Sequence, residues 1–177
     1  MEEKLLMSEK EIDRALTRIA HQILERNRGS EDLVLVGIRT GGVPLAERLK
    51  RKIKEIEDVE LPVGVLDISL YRDDWSLASP QPEVRRTEIP FRIDDKVIIL
   101  VDDVIFTGRT IRAALDALMD FGRPKKVELA VLVDRGHREL PIEPTYTGFT
   151  ITTLPNEHVT VRLKEITGKD EVVLERY

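Results

Sequence analysis

From Ser8 to Asn27 the apolar residues Ile12, Ala15, Leu16, Ile19, Ala20, Ile23 and Leu24 recur at three- and four-residue steps, the period of a helix with one buried face. Ser8 followed by Glu11 is a capping-box pair, and Asn27-Arg28-Gly29-Ser30 supplies a stop, so a helix is expected over 8–28. The pattern then changes. Leu33-Val34-Leu35-Val36-Gly37-Ile38 is a continuous apolar run of strand length. A strand covered on both faces has no reason to alternate, which points to a parallel sheet between helices. Arg39-Thr40-Gly41-Gly42 reads as a tight turn, and Pro44 suits the start of a helix carrying Leu45, Leu49, Ile53 and Ile56. Strands follow at Leu61–Leu70, Val97–Val101 and Val127–Val133, with a helix over Thr110–Phe121 that Gly122 and Pro124 end. Repeated strand-helix alternation defines an α/β doubly wound sheet.

Two stretches break the alternation. Residues 71–90 hold charges, Ser, Gln and three prolines with few apolar anchors, and read as a long lid-like loop. After residue 142, Tyr146–Thr153, Val159–Leu163 and Val172–Tyr177 read as short strands forming a small add-on beside the sheet, within one domain spanning 1–177.

Composition narrows the function classes. The chain has 28 basic and 33 acidic residues, a net charge of −5, so any nucleic-acid site has to be a local patch. It has no cysteine, which removes disulfides and thiolate metal sites, and the three histidines His21, His137 and His158 are scattered. No basic-then-apolar signal opens the sequence and no apolar run reaches the ~20 residues of a membrane span, so a soluble cytoplasmic protein is expected.

The chemistry concentrates in Ile98-Ile99-Leu100-Val101-Asp102-Asp103-Val104-Ile105-Phe106-Thr107-Gly108-Arg109-Thr110. Ligands of open parallel sheets bind beyond the carboxyl ends of strands, where Asp102 and Asp103 are expected. Two adjacent carboxylates repel unless a polar or cationic group bridges them, and sugar hydroxyls or a magnesium-bound ligand would do so. Thr107-Gly108-Arg109-Thr110 then leads into a helix whose first amides attract an anion. No Walker loop occurs, and no G-x-G-x-x-G follows a strand.

This segment resembles the phosphoribosyl-pyrophosphate motif of type I phosphoribosyltransferases. Arg14–His21, Leu70-Tyr71-Arg72-Asp73-Asp74 and Val131–Pro141 further resemble the branch of that family in which a uracil phosphoribosyltransferase also regulates pyrimidine genes by transcription attenuation. The resemblance implies a parallel twisted sheet flanked by helices, with a small β-rich hood and a flexible lid. It implies conversion of uracil and phosphoribosyl pyrophosphate to UMP and diphosphate. Asp102 and Asp103 would orient the ribose and a magnesium shell held mainly by substrate and water, Ile98–Thr110 would bind the donor, and Arg39, Thr40 and Gly41 its pyrophosphate. Tyr71 and Arg72 would open the lid over the reacting centre, and Val133, Asp134 and Arg135 would face the base. Asp134 and Arg135 can instead pair with each other.

The same resemblance implies uridine-nucleotide-dependent binding of UMP or UTP and of leader RNA, through Thr17, Arg18 and His21 on the first helix with His137 and Arg138 from the later loop. Arg14, Arg18 and His21 share one helix face, a patch able to meet phosphates. Members of the family this chain resembles usually carry an arginine and then a Gly-Lys-Asn stretch where this chain has Glu143 and then Thr147-Gly148-Phe149-Thr150, and a carboxylate there repels a phosphate backbone. A homo-oligomer, dimer or larger, is implied as well. Two other readings stay open: an RNA-binding nucleotide sensor with little catalysis, and a purine phosphoribosyltransferase.

Overall fold

A computed structural model describes residues 1–69 and 87–177. Tyr71, Arg72, Leu70 and most of the lid reading lie outside those residues.

Strand β1 (Glu2–Met7) precedes helix α1 (Glu9–Arg26). Ser8 caps α1 as its sequence indicates: its hydroxyl accepts from the Glu11 amide at 3.2 Å and the Glu11 carboxylate accepts from the Ser8 amide at 3.3 Å. Ser8→Ala removes that acceptor and is expected to cost about 1 kcal/mol. In a thermal melt that reads as a fall of about 2–4 °C, without change in donor affinity.

Next come β2 (Leu33–Ile38), α2 (Gly42–Glu57), β3 (Val63–Leu66), β4 (Val97–Ile105), α3 (Arg109–Met119), β5 (Lys126–Asp134) and β6 (Tyr146–Thr150). The strands form a five-stranded sheet in the order β3-β2-β4-β5-β6, every pair parallel. Alternate β4 residues serve opposite cores. Val97, Ile99 and Val101 pack with α1 and α2, while Ile98 and Leu100 pack with Ile111, Ala114 and Leu118 of α3. Helices on both faces explain why the strands read as unbroken apolar runs.

The last elements are β7 (Glu157–Arg162), a short α4 (Lys164–Thr167) and β8 (Glu171–Arg176). They build a three-stranded antiparallel sheet in the order β1-β8-β7. The add-on of the sequence reading is corrected in two ways. Tyr146–Thr150 leaves it and becomes the fifth strand of the parallel sheet, where the backbone of Gly148 lies against the Leu132 carbonyl with Ala15 of α1 nearby. The N-terminal β1 joins it instead, along β8.

The small sheet shares the α1/α2 core through Met7, Leu163 and Val172. Arg48 of α2 fastens it further, bonding Glu165 at 2.5 Å and Asp170 at 2.7 Å. The apolar face of α1 is spent inside the chain, on Ile12, Leu16, Ile19 and Ile23.

Candidate active site at the carboxyl edge of the sheet

Strand β4 runs four residues further than the sequence indicates, so Asp102 and Asp103 lie within its last turn of pleat. Asp102 is buried, and its Oδ1 accepts the Asp103 amide at 2.8 Å. Burial, then the charge of Asp103, pushes the Asp102 carboxyl well above the usual carboxylate range. Asp103 is half-buried, and its Oδ1 accepts the Val104 amide at 2.8 Å. The face alternation breaks here: Val104 packs toward α1 and α2, and Ile105 toward α3.

The turn between β2 and α2 presses against these acids. A Cβ at Gly41 would stand 2.3 Å from Asp103 Oδ2, and one at Gly42 would stand 2.1 Å from the Val101 carbonyl oxygen. No side chain larger than hydrogen fits at Gly42, and one at Gly41 has to displace the Asp103 side chain, so the two glycines bring the turn opened by Arg39 and Thr40 against the strand end that carries the acids. The Arg39 amide bonds the Leu66 carbonyl at 3.0 Å, tying the turn to β3, and the Arg39–Thr40 peptide is cis.

On the other side of the pair, Phe106-Thr107-Gly108 turns into α3. Gly108 is the N-cap at φ 95°, a left-handed conformation suited to glycine, and it offers no capping side chain to the first amides of the helix. Thr107 Oγ1 accepts the Arg109 amide at 3.2 Å, and no acidic residue occupies the first turn. The helix dipole and the amides left open there would attract an anion, with no carboxylate of the first turn to oppose it.

Beyond β5 the structure redistributes the expected partners. Asp134 does not pair with Arg135; its Oδ2 bonds Arg138 Nη2 at 2.6 Å and its Oδ1 accepts the Gly136 amide at 2.9 Å. Burial works to raise the Asp134 carboxyl, but the Arg138 and Gly136 bonds outweigh it and leave it lowered. Arg135 is buried, lies 3.9 Å from the centre of the Phe106 ring, and donates to Thr153 Oγ1 at 3.1 Å and the Glu157 carbonyl at 2.8 Å. The His137 imidazole donates through Nε2 to the Thr153 carbonyl at 2.5 Å.

The residues read as an RNA patch fall in two places. On α1, Arg14, Arg18 and His21 are exposed, with Arg18 reaching the Thr147 and Gly148 carbonyls of β6 at 3.0 and 2.6 Å. Thr17 bonds the Asp13 carbonyl at 2.9 Å. His137 and Arg138 lie past the end of β5. Glu143, on the surface, stands 3.7 Å from Arg138, a longer ion pair than the one Arg138 makes with Asp134.

Three polar features escaped the sequence reading. Thr153 holds both Arg135 and His137. Asp67, just beyond β3, accepts Ser69 through Oδ1 and keeps Oδ2 buried without a hydrogen-bond partner among the described residues. Glu128, 4% exposed, gathers Tyr146, Asn27 and Arg26 at 2.7–3.0 Å. No periodicity marks Thr153 or Glu128, because their partners come from other elements of the chain.

An acidic strand end flanked by a glycine turn and an uncapped helix start, on the carboxyl edge of a parallel sheet, is the arrangement of a phosphoribosyltransferase, and residues 6–166 match the phosphoribosyl transferase domain family, to which the chain belongs. Solved hypoxanthine-guanine phosphoribosyltransferase from Bacillus anthracis superposes with TM-score 0.73 at 21% identity, covering 100% of both chains. Hypoxanthine phosphoribosyltransferase of Trypanosoma cruzi superposes with TM-score 0.73 at 19% identity, over 98% of this chain and 96% of that one. These likenesses establish the type I fold.

Within that class the chain belongs to the family of the bifunctional protein PyrR. It is 61% identical to the bifunctional protein PyrR of Pelotomaculum thermopropionicum over 92% of this chain and 90% of that one. It is 58% identical to that of Chloroflexus aurantiacus over 98% and 96%.

Proposed function

We propose that the protein transfers the phosphoribosyl group from phosphoribosyl pyrophosphate to uracil, and regulates pyrimidine genes by binding leader RNA when a uridine nucleotide occupies the same site. The observation carrying this reading is the convergence on Asp103, where the Gly41–Gly42 turn and the strand end that leads to the α3 N-terminus meet.

The bond from the ribose anomeric carbon to the diphosphate oxygen breaks ahead of bond formation, leaving positive charge on the ribose ring, and uracil N1 then bonds to that carbon as its proton passes to the released diphosphate or to water. Catalysis is then mostly positioning and electrostatics. Asp102 and Asp103 hold the ribose hydroxyls, the amides and hydroxyls of Thr107–Thr110 hold the 5-phosphate, and Arg39, Thr40 and Gly41 receive the diphosphate. Val133, Asp134 and Arg135 stand at the base side, with Asp134 and Arg135 shaping it through Arg138 and Phe106. Tyr71 and Arg72 belong to the same reading through family resemblance alone.

The donor set suits magnesium. Among the described residues no group of three or more His, Asp or Glu side chains converges, and two adjacent carboxylates beside a phosphate-binding turn match an ion bound chiefly by substrate oxygens and water. Asp102 and Asp103 would hold it, and it would neutralise the departing diphosphate.

No helix among the described residues is long and apolar enough to cross a membrane. A cytoplasmic homo-oligomer completes the reading, and sedimentation velocity counts its subunits. Diphosphate release with uracil, hypoxanthine and guanine as acceptors tests the reaction: uracil alone is expected to turn over. A transcript of a pyrimidine leader, titrated with and without UMP, tests regulation. Turnover with purines only, or tight UMP-dependent RNA binding with no turnover, would replace the reading.

A further inference from the structure

Phe106 is the one aromatic residue from Ile98 to Thr110. It follows the acidic pair and precedes the Thr-Gly turn, it is half-buried, and it packs with neither of the two apolar cores. Core packing therefore does not account for it.

Strand register decides what stands beside the ring. Ile105 pairs with Asp134, and the Arg135 amide donates to the Ile105 carbonyl at 3.1 Å, so Phe106 and Arg135 leave adjacent strands side by side. The Arg135 guanidinium lies 3.9 Å from the ring centre, a cation on an aromatic face. It is held there in turn, Nε donating to Thr153 Oγ1 at 3.1 Å and Nη2 to the Glu157 carbonyl at 2.8 Å, where the chain enters β7. His137 stands beside the same ring, with centres 6.0 Å apart and planes inclined by 35°. One face of Phe106 is thus braced from the small sheet, and its orientation does not wait for a ligand.

We propose that Phe106 binds the acceptor base: the part of its ring that Arg135 leaves open packs against the flat pyrimidine, with Arg135 as a positioning residue behind it. Stacking of a base on an aromatic ring needs no hydrogen bond, which suits an apolar group set among carboxylates and amides. The proposal rests on the reading of Thr107–Thr110 as the 5-phosphate site. It divides the Ile98–Thr110 segment between two substrates, the acids and the turn serving the donor and Phe106 the base.

Calorimetry with UMP and with ribose 5-phosphate separates base from phosphate, because the second ligand carries no base. Phe106→Leu keeps apolar bulk and removes the ring. It is expected to raise the UMP Kd and the uracil KM about tenfold, with the ribose 5-phosphate Kd and the donor KM within about threefold of the parent protein. Phe106→Tyr keeps the ring and is expected to hold all of these constants within about threefold. Arg135→Met removes the brace and is expected to move the UMP Kd and uracil KM in the same direction as Phe106→Leu, again without the ribose 5-phosphate Kd; an unmoved UMP Kd there takes Arg135 out of the proposal. Should Phe106→Leu fail to fold, nuclear Overhauser contacts between the uracil ring protons and the Phe106 ring in the parent protein with UMP carry the test. Their absence overturns the proposal, as does an unchanged UMP Kd and uracil KM in Phe106→Leu, or an equal weakening of UMP and ribose 5-phosphate. Thr110→Val is expected to weaken both ligands, and unchanged affinity for both overturns the phosphate reading beneath the proposal, whatever Phe106→Leu shows.

Discussion

Asp103→Asn is expected to lower kcat/KM for UMP formation by about a hundredfold or more and to remove magnesium-dependent donor binding, while the melting temperature stays close to that of the parent protein. The structural part of Asp103 survives the change, since Oδ1 accepts the Val104 amide at 2.8 Å and an asparagine carbonyl oxygen does the same. What is lost is the charge on Oδ2, the oxygen against Gly41. Asp102 does not replace it, because that side chain is buried and its Oδ1 is engaged by the Asp103 amide. Calorimetric titration of phosphoribosyl pyrophosphate with and without magnesium reads the outcome, and donor affinity equal to the parent's would refute the assignment.

The second large effect is on stability. Gly42→Ala places a methyl group 2.1 Å from the Val101 carbonyl oxygen and 3.2 Å from the Asp102 Cα, both main-chain atoms of a central strand that cannot rotate away. Separating α2 from β4 is expected to cost on the order of 3 kcal/mol. A drop of about 6–12 °C in the melting temperature follows. Gly41→Ala separates packing from chemistry in the same turn. The nearest atoms to its Cβ are Oδ2, Cγ and Cβ of Asp103, a side chain rather than main chain, so the melt is expected to fall less than for Gly42→Ala while donor binding falls. Equal melting temperatures for Gly42→Ala and the parent would show that the turn does not press on β4 as described.

The parts of this protein legible in its sequence are those held by local rules. Ser8 and Glu11 mark the start of α1, and unbroken apolar runs mark β2, β4 and β5 because helices cover both faces. The acids and the Thr-Gly turn could be read as one unit because strand end, glycine and helix start follow one another directly. What was not legible depends on pairing across the chain. β1 shows five exposed or half-exposed residues and becomes a strand only because β8, more than 160 residues on, lies beside it. Tyr146–Thr150 carries the same strand signal in either sheet, and packing of Gly148 beneath α1 decides which. Arg138 reads as an exposed cation beside His137, yet its acceptors are the carbonyls of Phe106 and Ile142, and a carbonyl has no sequence signature.

The central claim is that the edge formed by Asp102, Asp103 and the α3 N-terminus holds the phosphoribosyl group. A crystal structure with UMP tests it most directly. The 5-phosphate is expected within hydrogen-bond distance of the Thr107–Thr110 amides, with the ribose hydroxyls on Asp102 and Asp103. A phosphate bound elsewhere, with those amides facing solvent, would contradict the account.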